Sequence, residues 1–291
     1  MTALHHERVV LRAPADAHRT LQRFGRYGHD PANRIDESGA LVRCLRDGAG
    51  RPIACRIAPL GGQAVAVESS APLDPAARAS LLVTLGDGWA LEPVERAAAD
   101  DPQLAAAIAG VRGYRPACFA DPFEAIVTLI TAQHITLLFA VRIRARLVER
   151  YGEPVAFAHA FPTPDVLAAA DPAELRAMQL TGVRAESIVG LARAVAGGEL
   201  DLGALAHLED GAVIERVCAL RGIGRWTAEW LLLRTLGRPD ALPATDAGVR
   251  AVVGRLQGLT RAPEAAVRER AAGWAPARGL VALTLLEAAA S

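Results

Sequence analysis

The segment Cys218-Ala-Leu-Arg-Gly-Ile-Gly-Arg-Trp-Thr-Ala-Glu-Trp230 constrains this chain more than any other stretch. One helical pattern runs into Leu220, Gly222-Ile223-Gly224 forces a tight turn, and a second helical pattern begins near Arg225. Glycine has no Cβ, so the pair admits positive φ and close approach of another backbone. The N–H groups opening the second helix have no partner within it. Together with the helix dipole they form an anion site that needs no basic side chain. A Gly-Ile-Gly alone is weak, because most such pairs between helices are only turns. The residues downstream sharpen it: after Gly237-Arg-Pro comes Leu242-Pro-Ala-Thr-Asp246-Ala-Gly-Val-Arg, which puts a carboxylate at the start of the next helix. A plain N-cap would also account for an aspartate there. The hairpin immediately upstream favours a functional one.

Around this segment the chain changes character once. Arg8-Val-Val-Leu-Arg-Ala, Ala40 to Arg46, Pro52 to Ala58 and Ala64 to Glu68 are short runs rich in β-branched residues, separated by turn clusters such as Gly48-Ala-Gly-Arg-Pro and Gly61-Gly. They read as strands. Ala15 to Tyr27 and a segment from Asp74-Pro read as helices, giving a small α+β unit over 1–97. After Asp100-Asp-Pro the periodicity is helical. Asp121-Pro and Asp171-Pro each place an acidic cap before a proline in the first turn, and Ile135 to Tyr151 reads as a helix with Arg142, Arg146 and Arg150 on one face. That face reads as solvated.

Composition excludes several classes. Hydrophobic residues at 52% and charged residues at 22% suit a folded soluble chain rather than a disordered one. Met1 to Arg8 has no apolar core of a signal peptide, and the best apolar run, Ile135 to Val141, is too short for a membrane span. A cytoplasmic, membrane-free protein is expected. Cys44, Cys55, Cys118 and Cys218 are scattered, without the spacing of a zinc or iron–sulfur site, and read as reduced thiols. The net charge is zero, and from Pro122 onward 18 arginines meet 18 acids, so composition lends nothing to nucleic-acid binding. The chain contains no lysine. Arginine stays protonated, so no side chain here can form a Schiff base.

The hairpin, Asp246, Asp121-Pro-Phe-Glu-Ala-Ile through Gln133, Tyr151-Gly-Glu-Pro, Phe161-Pro-Thr-Pro, Ala168-Ala-Ala-Asp-Pro and Trp274-Ala-Pro-Ala-Arg278 together resemble the helix-hairpin-helix DNA glycosylases, and within them the bacterial alkylpurine enzymes. The resemblance implies an α+β fold: a mixed N-terminal domain (1–97), a helical domain from 98–121 plus 239–291 bearing the catalytic aspartate, and a helical domain over 122–238 with the hairpin. It implies a monomer acting on damaged double-stranded DNA near the bacterial nucleoid, with Asp246 catalytic. Gln133, His134, Gly222, Ile223, Gly224, Arg225 and Thr227 would contact DNA. No cofactor would be required, although a Na+ or K+ ion would fit against the carbonyls of Cys218, Leu220 and Ile223. His134 matches the position of a wedge pushed into the base stack, and equally reads as a surface histidine. Trp226 and Trp230, one helical turn apart, read either as a base pocket with Leu286 or as core packing; the pocket is the preferred reading. Ala247 and Leu286 stand where the alkylpurine enzymes carry aromatics, which leaves other lesions (hypoxanthine, uracil, an oxidised purine) and a non-catalytic lesion binder as alternatives. Arg278 reads as a site buttress or DNA contact on one side, and as a salt-bridge partner on the other. Lyase-competent relatives carry lysine where this chain has Trp226, so a hydrolase without lyase activity is expected.

Overall fold

The computed structural model describes residues 4–290. The N-terminal part is a five-stranded antiparallel sheet in the order β1-β5-β4-β3-β2, with β1 at His5–Val10, β2 at Asn33–Ile35, β3 at Leu41–Arg46, β4 at Pro52–Pro59 and β5 at Ala64–Ser69. Helix α1 (Ala17–Gln22) joins β1 to β2, and α2 (Pro75–Thr84) follows β5. Alternation decides the faces. Leu41, Leu45, Ile53, Cys55 and Ile57 pack with Leu21 of α1 and Leu81 of α2 in a first core, while Val42 and Ala54 point the other way. The cross-strand pairs Leu41–Ile57 and Leu45–Ile53 keep the register.

From residue 92 onward the chain is helical: α3 (Glu92–Ala99), α4 (Pro102–Ile108), α5 (Pro122–Ala132), α6 (Leu137–Tyr151), α7 (Pro164–Ala168), α8 (Pro172–Ala177), α9 (Gly182–Ala196), α10 (Asp210–Cys218), α11 (Arg225–Arg234), α12 (Ala247–Leu256), α13 (Glu264–Ala271) and α14 (Arg278–Ala288). Five of the helices begin with one device. Asp74, Asp101, Asp121, Thr163 and Asp171 each cap with a side-chain oxygen, and proline follows in the first turn. The capping oxygen satisfies an orphan N–H, and proline lacks one to satisfy.

Three details differ from the pattern read in the sequence. The first core ends at Leu85, and Trp89, Leu91 and Val94 already belong to the second, so the boundary falls between 85 and 89 rather than at 97. The reason is that α3 packs on α4 and on the turn around Trp274 rather than on the sheet. The helix expected over 15–27 is only Ala17–Gln22, because turns closed at Phe24, Gly25 and Gly28 replace it. Finally, a hairpin of β6 (Glu153–Val155) and β7 (Ala158–Ala160) lies on the second face of the sheet, where Ala158 meets Val42 and Ala54.

The second core runs from Trp89 to Leu285 and also takes in Ala32 from the sheet unit. Within it α5, α6, α9 and α11 pack together, as do α4, α12, α13 and α14. The hairpin between α10 and α11 belongs to the first set and Asp246 to the second, so the candidate site lies where the two sets meet.

Candidate active site

Asp246 is the N-cap of α12. Its Oδ1 accepts from the backbone N–H groups of Gly248 (2.8 Å) and Val249 (3.0 Å). Its Oδ2 accepts from the indole N–H of Trp226 (2.9 Å) and of Trp230 (3.3 Å). The cap and the functional reading therefore coexist in one carboxylate. Two backbone donors from α12 and two side-chain donors from α11 hold it half-exposed at the meeting of the two helical sets.

The loop leading to Asp246 is anchored from below. Asp240 accepts from the backbone N–H and from Nε (2.8 Å) of Arg278 at the start of α14, and the Leu280 N–H donates to the Pro239 carbonyl at 2.9 Å. Arg278 is thus a salt-bridge partner. Its guanidinium holds the Asp240 carboxyl below the usual range, outweighing partial burial. A Cβ at Gly279 would lie 2.0 Å from the Ala241 carbonyl oxygen, so only glycine lets α14 approach this closely.

The two tryptophans come together, though not as a symmetrical stack. Trp230 is 8% exposed within the second core, so what it offers the site is its N–H edge. Trp226 is half-buried and keeps part of its ring accessible. Leu286, on α14, reaches the same place: its Cδ2 lies 3.1 Å from where a Cβ on Gly248 would stand, beside the Asp246 carboxylate. Ala247 is exposed.

In the hairpin the two glycines do different work. Gly222 has φ +76°, and a Cβ there would sit 2.0 Å from Ser187 Oγ on α9. Gly224 is an extended N-cap, φ −110° and ψ 177°, with open space where a Cβ would be. The expectation of positive φ at both holds only for Gly222, and the close neighbour is a side chain rather than a backbone. No side chain caps α11, so the N–H groups at its start have no side-chain acceptor, and the Thr227 N–H turns back to the Gly224 carbonyl at 3.0 Å. Ile223 is buried and donates to the Leu220 carbonyl, which keeps a second lone pair; Cys218 ends α10 beside it. Arg225 is exposed and paired with Glu229 at 2.8 Å.

Gln133 lies against this hairpin. Its side-chain amide donates to the Gly222 carbonyl (3.0 Å) and faces the buried Thr227 hydroxyl (3.3 Å). His134 follows at the exposed tip between α5 and α6 with φ +54°, and the Arg184 guanidinium of α9 donates to the Gln133 carbonyl. Arg184, Ser187 and Val183 support the hairpin from α9, a contribution that only tertiary packing reveals. Arg146 and Arg150 engage Gln179 and Glu174, leaving Arg142 exposed on that face.

Among the described residues no group of three or more His, Cys, Asp or Glu is placed to hold a metal ion. Burial pushes the Cys44 and Cys55 thiols up to about 12. No helix among the described residues is long and apolar enough to cross a membrane.

A curated relative, the DNA-3-methyladenine glycosylase of Bacillus subtilis, is 30% identical over 177 residues; the match covers 60% of this chain and 58% of that protein's length. The structure described as 3-methyladenine DNA-glycosylase from Archaeoglobus fulgidus superposes with a TM-score of 0.80 at 26% identity, covering 96% of this chain and 97% of that one. The Schizosaccharomyces pombe 3-methyladenine DNA glycosylase in complex with abasic DNA superposes with a TM-score of 0.60 at 26% identity, covering 67% of this chain and 95% of that one. Residues 127–277, just over half of the chain and including both the hairpin and Asp246, match the HhH-GPD superfamily, and the chain belongs to this family of base excision DNA repair proteins.

Proposed function

We propose that this chain is a monofunctional DNA glycosylase that hydrolyses the N-glycosidic bond of alkylated purines such as 3-methyladenine, flipped out of double-stranded DNA. The observation that carries the reading is the carboxylate of Asp246, held by four donors beside an uncapped hairpin helix. A base within a duplex is out of reach, and extruding it costs a few kcal/mol. The uncapped N–H groups of Gly224, Arg225 and Trp226 receive a backbone phosphate, and the loop at Gln133 and His134 faces the gap left in the stack. An alkali ion against the Cys218, Leu220 and Ile223 carbonyls would neutralise that phosphate further, and Leu220 retains a lone pair for it.

Bond cleavage builds positive charge on the sugar. An anion about 4 Å away at an effective dielectric near 20 stabilises it by roughly 4 kcal/mol. Glycosylase-scale acceleration needs about 8 kcal/mol or more. The remainder comes from a leaving base that is already cationic and from positioning in the pocket. Both Asp246 oxygens are occupied by donors, so the group acts as a fixed anion more readily than as a proton acceptor. The accessible ring of Trp226 suits a cationic purine, with Leu286 closing the other side. With no lysine in the chain, water is the nucleophile.

The test is base release from randomly methylated duplex DNA, resolved by chromatography, for wild type and Asp246→Asn. Methylpurines released by wild type and lost in the variant are the expected result. No release by wild type refutes the substrate class, and a side-chain adduct trapped with borohydride refutes the hydrolytic mechanism.

A further inference from the structure

Two clusters of buried charge join the sheet domain to the helical body, and neither has a part in the chemistry above. In the first, Arg26 grips the fully buried Glu287 of α14 through both carboxylate oxygens, at 2.8 and 2.7 Å, and Arg19 of α1 approaches within 3.8 Å. In the second, the Arg144 guanidinium of α6 donates to Asp30 (2.7 Å), to Glu124 of α5 (2.7 Å) and to Thr128 (2.5 Å), while Arg43 of β3 reaches Glu124 at 3.5 Å. All four charged side chains there are at most 8% exposed. The Phe161 ring covers Arg144 at 4.5 Å.

Buried ion clusters add little stability over an apolar contact of the same size, and their best-attested use is registry. A bidentate fork fixes both distance and angle, whereas an apolar interface slides. The elements fixed here lead directly to the site. Leu286 precedes Glu287 on α14 and packs beside Asp246. Helices α5 and α6, tied together by Arg144, carry the Gln133–His134 loop between them.

We propose that the sheet domain is a brace for the cleft, with Arg26 and Asp30 as positioning residues: Arg26 for Leu286 through Glu287, and Asp30 for the Gln133–His134 loop through Arg144. The leverage is large. Glu124 and Arg144 stand roughly 12 Å along their helices from that loop at 1.5 Å per residue, so a rotation of about 5° at the cluster moves the loop by about 1 Å. A displacement of that size costs up to about a hundredfold in rate. The Schizosaccharomyces pombe glycosylase structure, 95% covered, matches only 67% of this chain, so about a third of this chain has no counterpart there.

The proposal rests on Asp246 being the reacting site, so its test includes a readout independent of activity. The variants are Arg26→Leu/Glu287→Leu, which removes the forked pair and leaves Arg19 with Asp16, and Asp30→Asn, which keeps shape. The measurements are amide hydrogen exchange, melting temperature, kcat and KM on methylated duplex DNA. The double variant is expected to melt near wild type, to exchange faster at 246–250 and to lose about tenfold in kcat. Asp30→Asn is expected to exchange faster at 133–137 and to raise KM. If the double variant fails to fold, Arg26→Lys, which keeps the charge and loses the fork, carries the same expectation. Folded variants with wild-type exchange in both segments and unchanged kcat and KM would overturn the brace. So would changes that merely follow the melting temperature across the whole chain. If wild type releases no base, exchange alone still decides the brace, and the failure belongs to the reading of Asp246.

Discussion

Replacing Asp246 by asparagine removes a charge and also reverses one half of a four-donor arrangement. Asn offers one carbonyl oxygen and one NH2 group. If the oxygen stays on the Gly248 and Val249 N–H groups, the NH2 meets the two indole N–H groups; if the amide flips, it meets the backbone N–H groups instead. Either way two donors face a donor. Asn caps a helix as well as Asp does, so the first arrangement is the cheaper one and the cost falls on the tryptophans. An unsatisfied donor costs about 1–3 kcal/mol when buried, and with the site half-exposed we expect about 2–3 kcal/mol in all. Separately, loss of the charge removes the ~4 kcal/mol of transition-state attraction, a rate loss on the order of a thousandfold. The two effects separate in a double-mutant cycle with Trp226→Phe. In wild type that substitution costs packing and one hydrogen bond to a charged oxygen. In the Asn background it costs the same packing and relieves a donor–donor conflict. The coupling, measured by denaturant unfolding, should be about 2 kcal/mol, while base release by the double variant stays as low as by Asp246→Asn. Additivity within about 0.5 kcal/mol would refute the shared hydrogen bond and this account of how the carboxylate is held.

Gly222→Ala should cost upwards of about 1–2 kcal/mol through its positive φ alone and weaken DNA binding, because its Cβ would overlap Ser187 Oγ. Gly224→Ala, with open space and φ −110°, should cost under about 1 kcal/mol as a poorer N-cap; comparable losses of stability and affinity at both positions would contradict the geometry. Because Arg278 lowers the Asp240 carboxyl, that pair contributes stability above the unfolded carboxyl value near about 4, and the contribution fades as pH falls through the lower folded value. Asp240→Asn should therefore flatten the acid limb of a stability–pH curve below about pH 4, and an unchanged limb would show the pair to be idle. Arg221 is held by Glu186 at 2.8 Å, so Glu186→Gln should free one guanidinium for a phosphate and steepen the salt dependence of duplex binding by about 0.9 in log–log slope; an unchanged slope would place Arg221 away from the DNA.

Much of this site is legible in the sequence because its signals are local. Turn glycines, Asp-Pro helix starts and a carboxylate opening α12 are one-turn features, and each states its own geometry. Convergence is what the sequence hides. That Trp226 and Trp230 lie one turn apart follows from the sequence, yet that both N–H groups meet one oxygen of Asp246 depends on how α11 crosses α12. The resemblance implies Gln133 as a DNA contact, and in the structure its amide donates to Gly222 and Thr227. The domain boundary expected at 97 falls earlier because α3 is amphipathic in the same way whether it caps a sheet or joins a helical core. Strands β2, β6 and β7 span three residues each, too few for alternation to declare itself.

Zero net charge and the absence of lysine then acquire a common physical sense. Arginine presents a planar fork that can be buried against carboxylates, and this chain uses it that way at Glu287 and at Asp30 and Glu124. Charge balanced inside the fold is charge withheld from its surface. Near the hairpin, Arg221 and Arg225 are likewise paired, with Glu186 and Glu229. With zero net charge the chain as a whole offers DNA no overall basic field. On the proposed reading, the fixed dipole of α11 and its uncapped N–H groups attract one phosphate at one place and act over a single turn. On that same reading, a single phosphate contact of this kind fixes position and register on the duplex, and the choice of base falls to the pocket at Asp246 and Trp226.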